Sequence, residues 1–141
     1  MKLSGSAETD LYVRIVQTFV DWVPARMSLR YTADDPYALH ATFRIADVDK
    51  AVEWTFSRDL VAEGLTRRTG EGDVQIWPAA VGPAQDVLYV ALGSRGRRAL
   101  IEVPLVDLET FLRRTQSVVP WGAESGQFDI DAEFSHLLAG G

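Results

Sequence analysis

Apolar side chains recur at every second position, segment after segment, through most of this chain. Only an extended, pleated backbone sends alternate side chains to opposite faces, so each such run specifies a strand with one buried face. Residues 11–20 set Leu11, Val13 and Ile15 against Tyr12, Arg14 and Val16, a first strand ending near Asp21-Trp22-Val23-Pro24. Met27, Leu29 and Tyr31 continue the period between Arg26, Ser28 and Arg30, up to the turn-forming Ala33-Asp34-Asp35-Pro36. Tyr37, Leu39, Ala41, Phe43 and Ile45 then alternate with Ala38, His40, Thr42 and Arg44. After Asp47-Val48-Asp49-Lys50 the pattern resumes as Val52, Trp54 and Phe56.

The last two runs predict a hairpin. Setting Ile45 opposite Val52 places Phe43 opposite Trp54 and Ala41 opposite Phe56, with every large apolar side chain on one face. A slip of one residue would set Phe43 against Glu53 and mix the faces, which a one-sided core does not tolerate. The same register puts Arg44 opposite Glu53, and His40 opposite Ser57, on the outer face.

The period changes at Ser57-Arg58-Asp59, where Ser57 can cap a short helix and Asp59 suits its positive end. Gly64 is expected to close that helix in the left-handed conformation. A loop is predicted through residues 67–72, then a strand over 74–77 stopped by Pro78, and a further loop over 79–85. Residues 87–92 and 99–103 form a second hairpin, and joining them through Arg95-Gly96 aligns Leu92 with Ala99, Val90 with Ile101 and Leu88 with Val103. From Pro104 the spacing becomes helical: Leu105, Leu108, Phe111, Leu112 and Thr115 share a stripe, with Asp107 and Glu109 early and Arg113 and Arg114 late. After a loop at Val119-Pro120-Trp121-Gly122, Asp129 caps a closing helix carrying Ile130, Phe134, Leu137 and Leu138. The fold class is α+β, antiparallel β-sheets with C-terminal helices, in a single domain over residues 1–141 whose first nine residues are expected to be flexible.

Composition narrows the chemistry. The absence of cysteine removes disulfides, thiol nucleophiles and thiolate metal sites, and fits a reduced, cytoplasmic setting. His40 and His136 are the only histidines, and each reads best as structural. Asp34, Asp35, Asp47 and Asp49 match no calcium loop and read as turn formers. Ser57 and Ser135 lack a nucleophile elbow, so no enzyme, metal or cofactor is expected. The start, residues 1–8, has no apolar run of a signal peptide, and no stretch approaches the ~20 apolar residues of a bilayer span.

Composition does not say what the domain does. The basic clusters are Arg67-Arg68 and Arg95-Gly96-Arg97-Arg98. Trp77 before Pro78 and Trp121 in its loop join them as partner-binding candidates, and for these two and Trp22 near a strand end, core lid, oligomer contact and partner contact stay open. The formal charge of −6, and the absence of an aromatic-and-basic stripe of the kind single-strand grooves use, argue against a nucleic-acid groove.

Several runs carry a family resemblance. Leu29-Arg30-Tyr31-Thr32-Ala33-Asp34-Asp35-Pro36-Tyr37-Ala38-Leu39-His40-Ala41-Thr42-Phe43 and Val52-Glu53-Trp54-Thr55-Phe56-Ser57-Arg58-Asp59-Leu60 resemble the SsgA-like proteins, actinobacterial regulators of sporulation and cell division. Glu63-Gly64-Leu65, Gly72-Asp73-Val74-Gln75-Ile76-Trp77-Pro78 and Phe128-Asp129-Ile130-Asp131-Ala132-Glu133-Phe134-Ser135-His136-Leu137-Leu138 extend the likeness over nearly the whole chain, which most resembles the SsgB branch. The resemblance implies a non-catalytic role in sporulation-specific septation, with the tubulin-like division GTPase FtsZ and other SsgA-like proteins as partners. It also implies a homotrimer and a fold like the Whirly single-stranded nucleic-acid-binding proteins. A single-stranded nucleic-acid-binding module is the rival reading, and an uncharacterised hydrolase ranks last.

Overall fold

The computed structural model describes residues 3–18, 20–45, 48–82, 85–94 and 97–125. Among these residues eight antiparallel strands form one sheet: β1 (Ser6–Val16), β2 (Trp22–Thr32), β3 (Ala38–Ile45), β4 (Ala51–Ser57), β5 (Thr69–Glu71), β6 (Val74–Gly82), β7 (Gln85–Ser94) and β8 (Arg97–Pro104). Helix α1 (Arg58–Gly64) follows β4, and α2 (Leu105–Val118) follows β8. The spatial order is β4-β3-β2-β1-β8-β7-β6-β5, two four-stranded meanders joined along β1 and β8. Helix α1 touches β4 near one end of this order and β5 and β6 at the other, so the sheet curls around its core.

The alternation read from the sequence selects the buried face. Leu11, Val13, Met27, Leu29, Leu39, Ala41 and Phe43 point inward, where Ile76, Leu88, Val90, Ile101 and Val103 meet them from the other meander. Leu108, Phe111, Leu112 and Thr115 of α2 are buried, the stripe that helical spacing predicts. The β7–β8 hairpin has the predicted register, with Leu88↔Val103, Val90↔Ile101 and Leu92↔Ala99. Residues 95 and 96 of its turn, and the closing helix expected from Asp129, lie outside the described residues.

Other expectations are corrected. The β3–β4 pairing is shifted by two residues from the one predicted, with Phe43↔Val52, Ala41↔Trp54 and Leu39↔Phe56. A two-residue slip leaves every side chain on its own face, so alternation cannot distinguish the two registers. The observed one sets Phe56 beside Leu39, both deep in the core, and continues through Ala38↔Ser57 to an Arg58 N–H donated to the Tyr37 carbonyl at 2.8 Å. Arg44 consequently faces Ala51 rather than Glu53, and His40 faces Thr55 rather than Ser57.

The first strand begins earlier and ends earlier than predicted. Residues 6–9, expected as part of a flexible start, are paired with β2, while Trp22-Val23-Pro24 opens β2. Between these two strands the Thr18 hydroxyl accepts the Val20 and Asp21 N–H groups at 3.3 and 3.0 Å. Part of the expected loop over 67–72 is β5, paired with β6 through Thr69↔Ile76. Pro78 does not stop β6, which runs to Gly82 beside β7. Because β5 pairs only with residues 74–76, β6 is an edge strand beyond that point and tolerates the missing N–H.

Candidate functional site

The helices cover one face of the sheet, and the other carries an ordered row of side chains. The Arg68 guanidinium lies over Trp77 of β6 at 4.5 Å, and the Trp77 ring meets its cross-strand neighbour Tyr89 of β7 at 5.7 Å. The Tyr89 hydroxyl donates to Glu102 of β8 at 3.4 Å. Glu102 stands 4.0 Å from Arg14 of β1, and Arg14 lies 4.2 Å over Trp22 of β2. Burial, with the charge and hydrogen bond of Glu102, raises the Tyr89 pKa above the ordinary phenol value.

This ladder crosses five adjacent strands because β1 and β8 pair through Arg14↔Glu102, Ile15↔Ile101 and Val16↔Leu100. That register sets Trp77, Tyr89, Glu102 and Arg14 in line on the outer face. An open groove runs along it, lined also by Val20, Ala91, Arg98 and Leu100. Guanidinium groups over aromatic rings make this an amphipathic surface, the side-chain chemistry enriched at protein interfaces and in single-strand grooves. An aromatic-and-basic stripe, not visible in the sequence, therefore exists. Its members come from six separate segments, and only the strand register assembles them.

The candidates divide accordingly. Arg68, Trp77 and Arg98 belong to the ladder and its groove. Arg67 instead pairs with Glu63 at 3.2 Å, one helical turn away. Arg97 pairs with Ser94 in the backbone ladder of the hairpin, and Arg95 lies outside the described residues. Trp121 lies on the helix side, its ring 4.1 Å from the Arg58 guanidinium.

Arg58 is the residue that sequence reading passed over. It is only 1% exposed, held between the rings of Tyr31 and Trp121. Its Nη1 donates to the carbonyls of Thr115 and Val119 at 3.2 and 2.8 Å, and its Nη2 donates to the Glu124 carboxylate. Burial alone would raise the Glu124 pKa. The backbone N–H groups of Glu124 and Gly122 and the Arg58 guanidinium outweigh it, and the pKa is lowered. The cluster ties the end of α2 and residues 119–124 to the start of α1.

Tyr31 completes the cluster by donating its hydroxyl to the Pro36 carbonyl at 2.9 Å. Burial, opposed by Arg58 and reinforced by Glu124, pushes its pKa up to about 12. The sign follows: above pH 10 the unfolded chain ionises this phenol while the folded chain does not. Stability is therefore present in full below that pH and falls as pH rises from 10 towards 12. Tyr31→Phe is expected to flatten much of this alkaline loss, read as the urea midpoint against pH. An unchanged slope would place the titration elsewhere.

His40 bonds Asp35 at 2.8 Å and approaches Thr55 at 3.4 Å, the structural role the sequence suggested. Among the described residues no group of His, Asp and Glu side chains could hold a metal ion, and no helix is long and apolar enough to cross a membrane.

Residues 25–124 match the family described as Streptomyces sporulation and cell division protein, SsgA. The chain belongs to the SsgA family. It is 44% identical over 137 residues to the sporulation-specific cell division protein SsgB of Streptomyces coelicolor, covering 97% of this chain and 98% of that one. It is 42% identical over 136 residues to the SsgB of Frankia casuarinae, covering 96% and 94%.

Solved structures share the fold. One comes from work correlating SsgB mutations with longitudinal cell division during sporulation of Streptomyces coelicolor. It has a TM-score of 0.83 and 42% identity, covering 90% of this chain and 98% of that one. Another, an SsgA-like sporulation-specific cell division protein of Thermobifida fusca, has a TM-score of 0.86 and 38% identity, covering 96% and 98%. The curled antiparallel sheet with helices on one face is thus an SsgA-family fold, and the family ties the chain to sporulation and cell division.

Proposed function

We propose that this SsgA-family member acts by contact rather than catalysis, recruiting and positioning the tubulin-like division GTPase FtsZ at septal sites. The ladder Arg68–Trp77–Tyr89–Glu102–Arg14–Trp22 carries the reading. It presents planar, pre-ordered side chains on an uncovered sheet face, and such side chains lose little rotamer freedom on binding. Self-association as a trimer, in the cytoplasm or at the septum, would multiply weak single contacts against a repeating filament. Other SsgA-like proteins are the further partners in this reading.

Co-sedimentation with polymerised FtsZ tests it. The intact protein should pellet with filaments, and Trp77→Ala combined with Arg98→Glu should lose most of that binding while keeping its melting temperature within a few degrees. Equal pelleting of the variant would remove the ladder from the contact.

The ladder also favours a second reading, a single-stranded nucleic-acid module of Whirly-like fold, because aromatic rings flanked by arginines suit unpaired bases. The net charge of −6 weighs against it. A labelled oligothymidylate titration at low salt, run beside the sedimentation, separates the two.

A further inference from the structure

A second surface follows from the corrected register. With β4 shifted by two residues, Arg44 loses the Glu53 partner that the sequence offered, and the row across four strands becomes Ala51–Arg44–Arg26–Tyr12. Arg44 and Arg26 stand directly opposite each other on the outer face, both exposed. Like charges in that relation repel, and among the described residues neither forms an ion pair. Tyr12 ends the row with a ring 81% exposed, and Arg30 repeats the charge four residues along the same face of β2.

We propose that this row binds an acidic, extended peptide segment of a protein partner. Two guanidinium groups on adjacent strands, roughly 5 Å apart in the backbone, are spaced to share one carboxylate. A second carboxylate four residues further along an extended peptide, ~13 Å away, reaches Arg30. Tyr12 offers its ring to an apolar side chain beside them.

Charge placement selects a peptide over a polynucleotide. Asp10 and Glu53 stand in the next row, with Asp10 accepting the Ser28 hydroxyl at 2.6 Å, and Glu8 lies opposite Arg30. A backbone charged at every nucleotide must run across these carboxylates. A peptide can place single carboxylates on the arginines and neutral groups between them. The site stands independently of the division-GTPase reading, because its ligand is defined by charge and spacing alone.

The probe is a fluorescent decapeptide of glutamates interrupted by one phenylalanine, followed by anisotropy at low salt beside a ten-nucleotide oligothymidylate. The peptide should bind the intact protein, and Arg26→Gln with Arg44→Gln should weaken it roughly tenfold or more. The same double variant should melt no lower than the parent, since it removes a repulsive pair. Arg113→Gln with Arg114→Gln, an equal charge change on α2, should leave binding within about twofold. Equal losses from both double variants, no effect of the first, or tighter binding of the oligothymidylate than of the peptide would overturn the proposal.

Discussion

Arg58→Met is expected to lower unfolding stability by about 3–5 kcal/mol, the cost of breaking a buried ion pair by removing one partner. The substitution leaves the Glu124 carboxylate buried with only backbone N–H donors. It also leaves the Thr115 and Val119 carbonyls without the guanidinium that they accept from. Cation–π contact with Tyr31 and Trp121 is lost at the same time. The loss would be a large fraction of the 5–15 kcal/mol typical of a whole domain. Urea denaturation gives the magnitude. Near-ultraviolet circular dichroism should show Trp121 released before the sheet melts.

A companion variant separates charge from packing. Arg58→Met with Glu124→Leu removes both members of the pair, and should recover a substantial part of the loss because no buried charge is stranded. If the double variant is no more stable than Arg58→Met alone, the contribution of Arg58 lies in its bonds to the α2 carbonyls and its stacking, rather than in the ion pair.

The legibility of Arg58 marks where sequence reasoning stops. Ser57 was readable as a cap, and its hydroxyl accepts the Leu60 N–H at 3.3 Å. The arginine beside it reads as a surface residue, since arginines are almost never fully buried. Its burial depends on Glu124 and Val119, more than sixty residues away, and no local pattern links them. The two hairpins show the same boundary. Joining the runs through Arg95-Gly96 matched their apolar faces, and Leu88↔Val103, Val90↔Ile101 and Leu92↔Ala99 are the pairs that form. The connection between β3 and β4 admits two registers with identical faces, and alternation is blind to the choice. The outer-face ladder is the extreme case, because each of its residues is an ordinary strand position until β1 pairs with β8.

Gly64→Ala is the other substitution with a large expected effect, and it tests how the curled sheet closes. The sequence suggested that Gly64 ends α1 in the left-handed conformation. It is instead the last helical residue, followed by Leu65 with a right-handed φ of −65°, so backbone freedom does not explain the glycine. Space does. A Cβ at position 64 would lie 2.3 Å from Cγ2 of Ile76, which is fully buried on β6. Helix propensity favours alanine by about 1 kcal/mol, yet overpacking costs about 1–3 kcal/mol, and a contact this short against an immobile core side chain makes the cost prevail. Gly64→Ala should therefore destabilise by up to about 2 kcal/mol, and Gly64→Val by more. Ile76→Ala alone opens a cavity and costs about 2–5 kcal/mol. The pair combined should cost less than the sum of the two, because the shortened side chain removes the colliding Cγ2. Strict additivity in that double-mutant cycle would mean that α1 moves aside without strain. The approach of β6 to α1 would then not be what holds the two edges of the sheet together.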